Sequence, residues 1–575
     1  MRIIKFFIVN LFFLYHSKIL DDKIALKEIK FNIIKPTSLL ESNENNLPSK
    51  SENINFSHTD INNHMDIMIL ESDYIITQIR WSKNGNYDLN YELGIFEGSN
   101  DRSFEDFVPL AMIKKGGEFN KVNYIDVTSP NTYKYIRYIP PNKNYSDINP
   151  IKFYGHKKTS SDLTDKKEFQ VTNLPLISIY TENLTDPIKK DLDLKCQVVI
   201  INNGKIETRE TGVIKIRGKS TAIIPTKKPY RLKFSTEQKI LGQKGTYKKW
   251  ILMANAFDRS LLRNSLAFKI SQLMKFKYTQ RCNPVDVILN GVFRGSYYLC
   301  DLIDIGKNRV NITKMKKNDK VGTNVTGGYL MEFDGGYFYG KKHYKTDNGI
   351  LFKISNPDED DITPEQEDYI LDHMNIVENE VYNGILDKID LDSFSKFFIL
   401  NEFCGDIDFL WSSFYFYKER NDDKIYFGPV WDFDLALDND ARLIPTNDKD
   451  FFCFTKGDSA GTLNNFIQTL ISKKYVMEYI QKVWNELCET TLNEKVLLDY
   501  LEEREKYLKE SSELNFLKWD NNFEKIPWEG PNYESEDYGR KGENFEQSVQ
   551  VLKEYVKLRF KSFSKVIEKA VSLAK

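Results

Sequence analysis

Short runs that alternate apolar and polar residues fill the chain between Tyr74 and Gly155. Clusters of turn-forming residues, KNGN and GSNDRS, separate these runs. A period of two is typical of a strand with one buried face, and regularly spaced short strands indicate two packed sheets. We therefore predict an all-β sandwich over residues 61–157, with strands near Ile75–Trp81, Tyr91–Phe96, Tyr133–Tyr138 and Ile151–Tyr154.

The chain before this sandwich lacks the alternating pattern. Residues 1–20 combine Arg2 and Lys5 with an apolar run from Phe6 to Tyr15, which predicts a signal peptide and a secreted or cell-surface protein. Because no small-residue cleavage site follows, a buried N-terminal strand is the alternative. Residues 21–60 are rich in Ser, Asn and Glu and are predicted to be a disordered linker, and the polar residues 157–170 a second linker.

From residue 172 onwards strand patterns come first and helical patterns follow, which predicts an α+β body. Its first half contains Arg217-Gly218-Lys219-Ser220 and then an alternating basic strand, Lys227–Phe234. A glycine turn beside cations suits phosphate, since backbone amides can approach and positive charge offsets the anion. A basic edge strand that shields a sheet is the alternative.

A helical run through Phe397 and Phe403 ends at Gly405, and Asp406 and Asp408 follow directly. Glycine permits the left-handed turn that commonly ends a helix. Two alternating runs then bracket the polar ERNDDK, which predicts a β-hairpin leading to a second acidic pair. The alternating residues are Phe414, Phe416, Ile425 and Phe427, and the second pair lies in Trp431-Asp432-Phe433-Asp434.

Two acidic pairs separated by a hairpin include the residue types that phosphoryl transfer requires. Asp408 and Ser413 have the five-residue spacing of the Asp and Asn in a kinase catalytic loop, and Asp432 stands where that fold has the Asp of Asp-Phe-Gly. On spacing alone, a solvated acidic turn and a capped strand explain these residues equally well.

Four motifs in this order resemble the spore-coat CotH family of atypical, secretory-type protein kinases, over about residues 175–470. They are Arg-Gly-x-Ser-Thr with Lys-Lys-Pro-Tyr-Arg, NGVFRGSYYLCD with GGYLMEFD, the Gly-x-x-Asp turn, and Gly428-Pro429-Val430-Trp431-Asp432-Phe433-Asp434. The resemblance implies a diverged two-lobed protein-kinase-like fold, with an N-lobe at about 172–335 and a C-lobe at about 336–575. It also implies ATP and Mg²⁺ or Mn²⁺ as cofactors.

The same resemblance assigns roles to residues of this chain. Asp408 would be catalytic, Asp432, Asp434 and Ser413 would hold the metal, and Arg217, Lys228 and Arg231 would contact the ATP phosphates. The predicted helix Arg259–Met274, capped by Asp258, contains no Glu to pair with a strand lysine. We therefore expect Arg263 to pair with a carboxylate across the cleft.

The predicted sandwich resembles discoidin-like (coagulation factor type C) modules of the galactose-binding-like fold. That resemblance implies a glycan or lipid-headgroup ligand at loops of one end, while a domain that only packs against the body is an equal alternative. Five Asn-x-Ser/Thr sequons would make a glycoprotein only on a eukaryotic secretory route. They lie at Asn55, Asn144, Asn183, Asn311 and Asn324.

Composition excludes some classes of protein. The 81 basic and 83 acidic side chains nearly cancel, which argues against a nucleic-acid partner. No later apolar stretch of about 18 residues predicts a membrane span. Six cysteines without CxxC pairs indicate neither a disulfide-framed scaffold nor structural zinc.

The leading prediction is a secreted, ATP- and metal-dependent kinase that phosphorylates Ser/Thr of extracellular, coat or wall proteins. The alternative is a non-catalytic CotH-like adhesin or coat scaffold that binds glycan or protein surfaces. A third hypothesis is a glycan-active enzyme that uses the same carboxylates. Asp408, Asp432 and Asp434 together disfavour the scaffold, since binding alone requires none of them.

Overall fold

A computed structural model describes residues 27–34, 67–70, 74–82, 91–118, 121–141, 151–159, 167–334, 342–406, 408–439, 462–519 and 542–575. The chain divides into two compact units. The first contains residues 1–215, 234–236 and 285–296, and the second contains 216–233, 237–284 and 297–575. The predicted signal peptide lies outside the described residues.

The first unit begins with two antiparallel sheets. One has the strand order β1-β9-β4-β7 and the other β2-β3-β8-β5-β6. The strands are β1 (Lys27–Ile29), β2 (Phe31–Ile34), β3 (Ile67–Leu70), β4 (Tyr74–Ser82), β5 (Ile95–Ser99), β6 (Val108–Met112), β7 (Val122–Asp126), β8 (Tyr135–Ile139) and β9 (Ile151–Lys157).

Alternation along these strands builds the core of the sandwich, as predicted. Ile79 and Trp81 on β4 are buried together with Phe153 on β9, and Ile95 and Ile136 are buried in the other sheet. The prediction of a disordered linker over 21–60 is wrong for β1 and β2. Their few apolar residues pair with strands far along the chain, β9 and β3, and local composition does not reveal such pairing.

Three further strands of the first unit are β10 (Leu176–Thr181), β11 (Leu194–Asn202) and β12 (Lys205–Ile216). A buried polar triad joins β10 to the sandwich. Arg137 on β8 donates from Nη2 to Glu97 on β5 at 2.8 Å, and the hydroxyl of Tyr180 on β10 donates to the same carboxylate at 2.6 Å. The compact unit therefore continues past residue 157, and its limit does not coincide with the predicted domain boundary between 157 and 172.

The rest of the chain contains nine more strands and eight helices within the described ranges. They are α1 (Ser220–Ile223), β13 (Tyr230–Gln238), β14 (Tyr247–Met253), α2 (Arg263–Leu273), β15 (Cys282–Leu289), β16 (Val292–Asp301), β17 (Tyr329–Phe333), β18 (Tyr344–Lys345), β19 (Leu351–Asn356), α3 (Pro364–Tyr382), α4 (Leu391–Cys404), β20 (Phe414–Lys418), β21 (Ile425–Phe427), α5 (Thr462–Ser472), α6 (Lys474–Thr490), α7 (Glu494–Trp519) and α8 (Phe545–Leu573).

A five-stranded sheet, β18-β19-β17-β20-β21, lies at the centre of the second unit. Its middle strand β17 pairs antiparallel with both β19 and β20. The predicted lobe boundary at 335/336 falls between strands of this one sheet, and the division into lobes stays a prediction. The predicted hairpin is confirmed as β20 and β21, which the sequence showed by alternation but whose partner β17 it did not reveal.

The helices follow the apolar periodicity of the sequence. At the start of α3 the side chain of Gln366 accepts from the amide of Thr363 at 3.1 Å, and Pro364 lies in the first turn. Leu552, Val556 and Phe563 form the buried stripe of α8, which packs against α6 and α7. No helix of the described ranges is long and apolar enough to cross a membrane. The α+β class is observed, and the two-lobed kinase-like arrangement stays a prediction.

The Arg137–Glu97 pair generates a prediction about stability. Both side chains are fully buried, and removing one partner of a buried ion pair costs about 3–5 kcal/mol because the other charge stays uncompensated. We expect Arg137→Met to lower the free energy of opening β5 and β8 by that amount, measured by hydrogen exchange of their amides. Lys121→Met is the control, because the Lys121–Glu118 pair is about two-thirds exposed and worth at most about 1 kcal/mol. Equal exchange in both variants would contradict the prediction.

Candidate active site

Helix α4 positions the first acidic pair. Asp390 caps its N-terminus by accepting from the amide of Ser393, and Gly405 ends it with a φ of 61°, in the left-handed region that favours glycine. The buried face contains Phe397 and Phe403. The chain therefore turns sharply, and the Asp408 amide donates to the carboxylate of Asp406 at 3.1 Å.

Asp406, Asp408, Asp432 and Asp434 form what we call the carboxylate cluster. Burial raises the pKa of Asp406 well above its usual range, and the charges of Asp408, Asp432 and Asp434 raise this pKa further. Burial likewise raises the pKa of Asp434, followed by the charges of Asp432, Asp258 and Asp408. The structure thus brings the two predicted acidic pairs close enough to repel each other. Asp408 is half-buried and Asp432 is exposed.

Ser413 connects the cluster to the neighbouring strand. Its hydroxyl donates to Asp432 Oδ2 at 3.0 Å, and its amide donates to Glu332 Oε1 at 3.1 Å. Ser413 and Asp432 both have positive φ, 65° and 74°, a conformation that non-glycine residues adopt rarely and mostly where surrounding contacts enforce it. The predicted pair of Ser413 and Asp432 is thus brought together by two strained backbone positions.

Helix α2 and the residues before it hold the segment after Asp432. Asn264 accepts from the amide of Phe433 at 2.8 Å, and Arg263 donates from Nε to the carbonyl of Ala436 at 3.1 Å. Arg263 forms its ion pair with Asp258, five residues before it, and both side chains are fully buried.

Two expectations about this region are therefore wrong. Arg263 does not find its carboxylate across a cleft, because the nearby Asp258 compensates its charge. Asp258 is not the N-cap of α2, which begins at Arg263 after a turn in which Asp258 accepts from the amides of Ser260 and Arg263.

Sequence reasoning missed an ion-pair network beside Ser413. Lys353 Nζ lies 2.8 Å from Glu332 and 3.0 Å from Asp334, and Lys219 Nζ lies 2.8 Å from Asp334. Burial alone would raise the pKa of Asp334, but Lys353 and then Lys219 lower it to about 2. The sequence signal was a glutamate inside the apolar strand Tyr329–Phe333, because a buried charge requires a partner.

The structure places the three predicted phosphate contacts differently. The guanidinium of Arg217 lies 5.3 Å from the ring centroid of Trp431, next to Asp432. Lys228 Nζ donates to the carbonyl of Ile223 at 3.0 Å, and Arg231 is half-buried on β13 opposite Ile251. Arg217 thus lies near the residue that precedes Asp432, and the roles of all three stay predictions.

The donor set of the cluster fits a hard cation. Carboxylate and hydroxyl oxygens are the ligands that Mg²⁺ and Mn²⁺ prefer, and positive charge would relieve the repulsion that raises the pKa of Asp434. In the described part of the chain, no three His, Cys, Asp or Glu side chains are arranged to hold a metal by themselves. Mg²⁺ commonly takes only one or two carboxylates and completes its shell with water and substrate phosphates, so Asp432, Asp434 and Ser413 remain suitable.

Comparisons with known proteins identify a family for this chain. The family model described as CotH kinase protein matches residues 214–563. None of the curated proteins matches. Among solved structures, CBM62 from Clostridium thermocellum Xyl5A is similar at 28% identity, covering 17% of this chain and 72% of that one, with a TM-score of 0.15. Because the family match spans more than half of the chain and includes the whole carboxylate cluster, the protein belongs to the CotH kinase family.

Proposed function

We propose that this protein is a secreted, metal-dependent kinase that transfers the γ-phosphate of ATP to Ser or Thr of extracellular, coat or wall proteins. The observation that carries the proposal is the hydrogen bond between Ser413 and Asp432 at 3.0 Å, in a cluster that also contains Asp408. Two acidic segments separated by a hairpin thus meet at one place, as phosphoryl transfer requires.

In the proposed mechanism Asp408 accepts the proton of the acceptor hydroxyl, whose oxygen attacks the γ-phosphorus. The bond from the γ-phosphorus to the bridging oxygen breaks, and ADP leaves with that electron pair. Asp432, Ser413 and Asp434 would hold the metal ion, which neutralises charge on the phosphates when bound. Arg217, Lys228 and Arg231 would contact the phosphates.

Lys353 has a supporting role in this proposal. It neutralises Glu332, whose carboxylate accepts from the amide of Ser413. The strained backbone of Ser413 is thereby kept in position to present its hydroxyl to Asp432. Conventional kinases pair a strand Lys with a helix Glu. In this proposal, Lys353 on β19 and Glu332 on β17 would take the place of that pair.

Secretion is also a proposal, resting on the apolar segment at residues 6–15 and on one disulfide. Cys282 at the start of β15 is bonded to Cys300 on β16, and stable disulfides are typical of oxidising compartments. The sequon residues Asn183, Asn311 and Asn324 are exposed, as glycan acceptors must be; Asn55 and Asn144 lie outside the described residues. A glycan ligand for the sandwich stays a proposal as well.

Removal of the two central aspartates should have different consequences. Asp432→Ala should abolish metal-dependent nucleotide binding and transfer, because a metal ligand acts in ground and transition states alike. Asp408→Ala should bind ATP normally but transfer phosphate about 10²–10⁴-fold more slowly, since a positioned base acts chiefly in the transition state. Titration calorimetry with ATP and a labelled-phosphate assay in Mg²⁺ and in Mn²⁺ measure both. Wild-type transfer by Asp408→Ala would favour the scaffold alternative.

The two candidate arginines provide a matched test of nucleotide contact. Arg217→Ala should weaken ATP binding about 10–100-fold, the value of one charged hydrogen bond to phosphate. The loss should exceed that of Arg231→Ala, because Arg217 lies near Trp431, which precedes Asp432. Lys228→Met, measured in the same calorimetric titration, tests the third predicted contact. Unchanged affinity in any variant removes that residue from the site.

The Lys353 network predicts a pH-dependent stability. Asp334 has a folded pKa of about 2, below its ordinary value of 3.8, so its charge stabilises the fold above about pH 4, and this contribution is lost as the pH falls towards 2. Lys353→Met should therefore lower the melting temperature strongly at pH 7 and much less near pH 2.5. Lys342→Met is the control, since Lys342 is half exposed in its pair with Glu367. A deficit for Lys353→Met that stays constant with pH would contradict this account.

A further inference from the structure

A cavity of about 390 Å³ in the second unit has an excess of cationic side chains in its lining. It lies where the chain enters β15 and where it leaves β16. Five cationic side chains line it against one carboxylate, that of Asp301, and we call it the basic pocket. The cations are Lys244, Lys277, Arg281, Lys307 and Arg309.

The two arginines of the basic pocket are fixed by the protein itself. Arg281 donates from Nε to Asp301 at 2.8 Å and from Nη2 to the carbonyl of Asn308 at 3.3 Å. Arg309 is buried, its guanidinium lies 3.9 Å from the ring centroid of Tyr247, and its Nη2 donates to the carbonyl of Lys249 at 2.8 Å. Asp301, which Arg281 and Arg309 share, is thus already neutralised.

The three lysines differ from the two arginines in their exposure and their ion pairing. Lys244, Lys277 and Lys307 are exposed at the pocket, and none of them forms an ion pair with a carboxylate of the described ranges. Positive charge therefore remains in excess, and it is carried by flexible point charges at the rim. Three separate ammonium groups on flexible stems can each pair with a different carboxylate of a polypeptide.

A second cavity, of about 200 Å³, adjoins the basic pocket, and Lys277 and Tyr278 line both. The second cavity is also lined by Tyr417, Tyr426 and Pro429, and by the carboxylates of Asp390 and Asp392. The tyrosine rings form a continuous wall, with centroid distances of 5.4 Å for Tyr278–Tyr417 and 5.2 Å for Tyr417–Tyr426. Pro429 precedes Asp432 by three residues, which an extended chain spans in at most ~11 Å.

We propose that the basic pocket docks an acidic segment, rich in Asp or Glu, of the protein substrate. This inference rests on the proposed kinase function and names the class of substrate. The acidic side chains would pair with Lys244, Lys277 and Lys307, while the adjoining polypeptide crosses the tyrosine wall towards Asp408 and Asp432. Tyrosine is enriched where proteins bind other polypeptides, since its ring supplies contact area and its hydroxyl a hydrogen bond.

The test uses two labelled peptides with the same acceptor serine, one flanked by a run of Glu and the other by a run of Gln. The full-length protein is compared with a triple variant, Lys244→Gln, Lys277→Gln and Lys307→Gln. A control variant, Lys557→Gln, Lys561→Gln and Lys565→Gln, removes the same charge from exposed positions of α8. Fluorescence anisotropy without ATP measures docking independently of chemistry, and phosphate transfer to each peptide is measured separately.

We expect the wild-type protein and the control variant to bind the Glu peptide more tightly than the Gln peptide. The triple variant should bind the Glu peptide about 10-fold more weakly, as expected for three partly exposed ion pairs, and the difference should shrink in high salt. Phosphate transfer should show the same loss of preference for the Glu peptide.

Equal binding of both peptides by the wild type would overturn the docking proposal and leave the kinase proposal intact. A lysine-dependent preference for the Glu peptide without phosphate transfer to either peptide would support an acidic-peptide site and contradict the kinase proposal. Lysine-dependent binding of a heparin fragment, with no binding of the Glu peptide, would overturn the peptide assignment in favour of a sulfated glycan.

Discussion

The candidate site of the second unit depends on one physical constraint, which is the repulsion among the four carboxylates of the carboxylate cluster. Asp406 and Asp434 are buried, and each experiences the charges of Asp408 and Asp432. The acidic segments are held by the side chain of Asn264, which accepts from the Phe433 amide, by that of Arg263, which donates to the Ala436 carbonyl, and by the left-handed turn at Gly405. A group of anions assembled by its scaffold in this way is prepared for a cation, which would relieve the repulsion that folding has imposed and would in turn bind phosphate.

Buried carboxylates have different surroundings at three places in the protein. Glu97 in the first unit is compensated inside the fold by Arg137 and Tyr180, and the result is a structural triad. Glu332 and Asp334 are compensated by Lys353 and Lys219 and position Ser413. In the carboxylate cluster, burial and then the charges of the neighbouring aspartates raise the pKa values of Asp406 and Asp434. We infer function from this third case because a bound cation would lower both pKa values.

Membership of the CotH kinase family and the geometry of the site support one proposed mechanism, and the basic pocket extends it to substrate choice. The candidate metal ligands bear negative charge, whereas the pocket reached along the tyrosine wall bears positive charge. An acidic segment placed there would be attracted by the pocket and repelled by the carboxylate cluster. This difference would keep acidic residues of a substrate away from the cluster and leave the hydroxyl group near Asp408.

The sequence by itself determined what depends on neighbouring residues. Period two along Tyr74–Ser82, the glycine stop at Gly405 and the hairpin of Phe414–Phe427 are all set by local patterns and were predicted. The family resemblance likewise rested on short motifs. Only the tertiary structure decided which distant strands pair, and therefore that Lys27–Ile34 belongs to the sandwich and that β17 joins β20. It also decided that Arg263 pairs with Asp258 and that Lys353 lies beside Glu332, because a long side chain can reach several partners and the packing around it selects one.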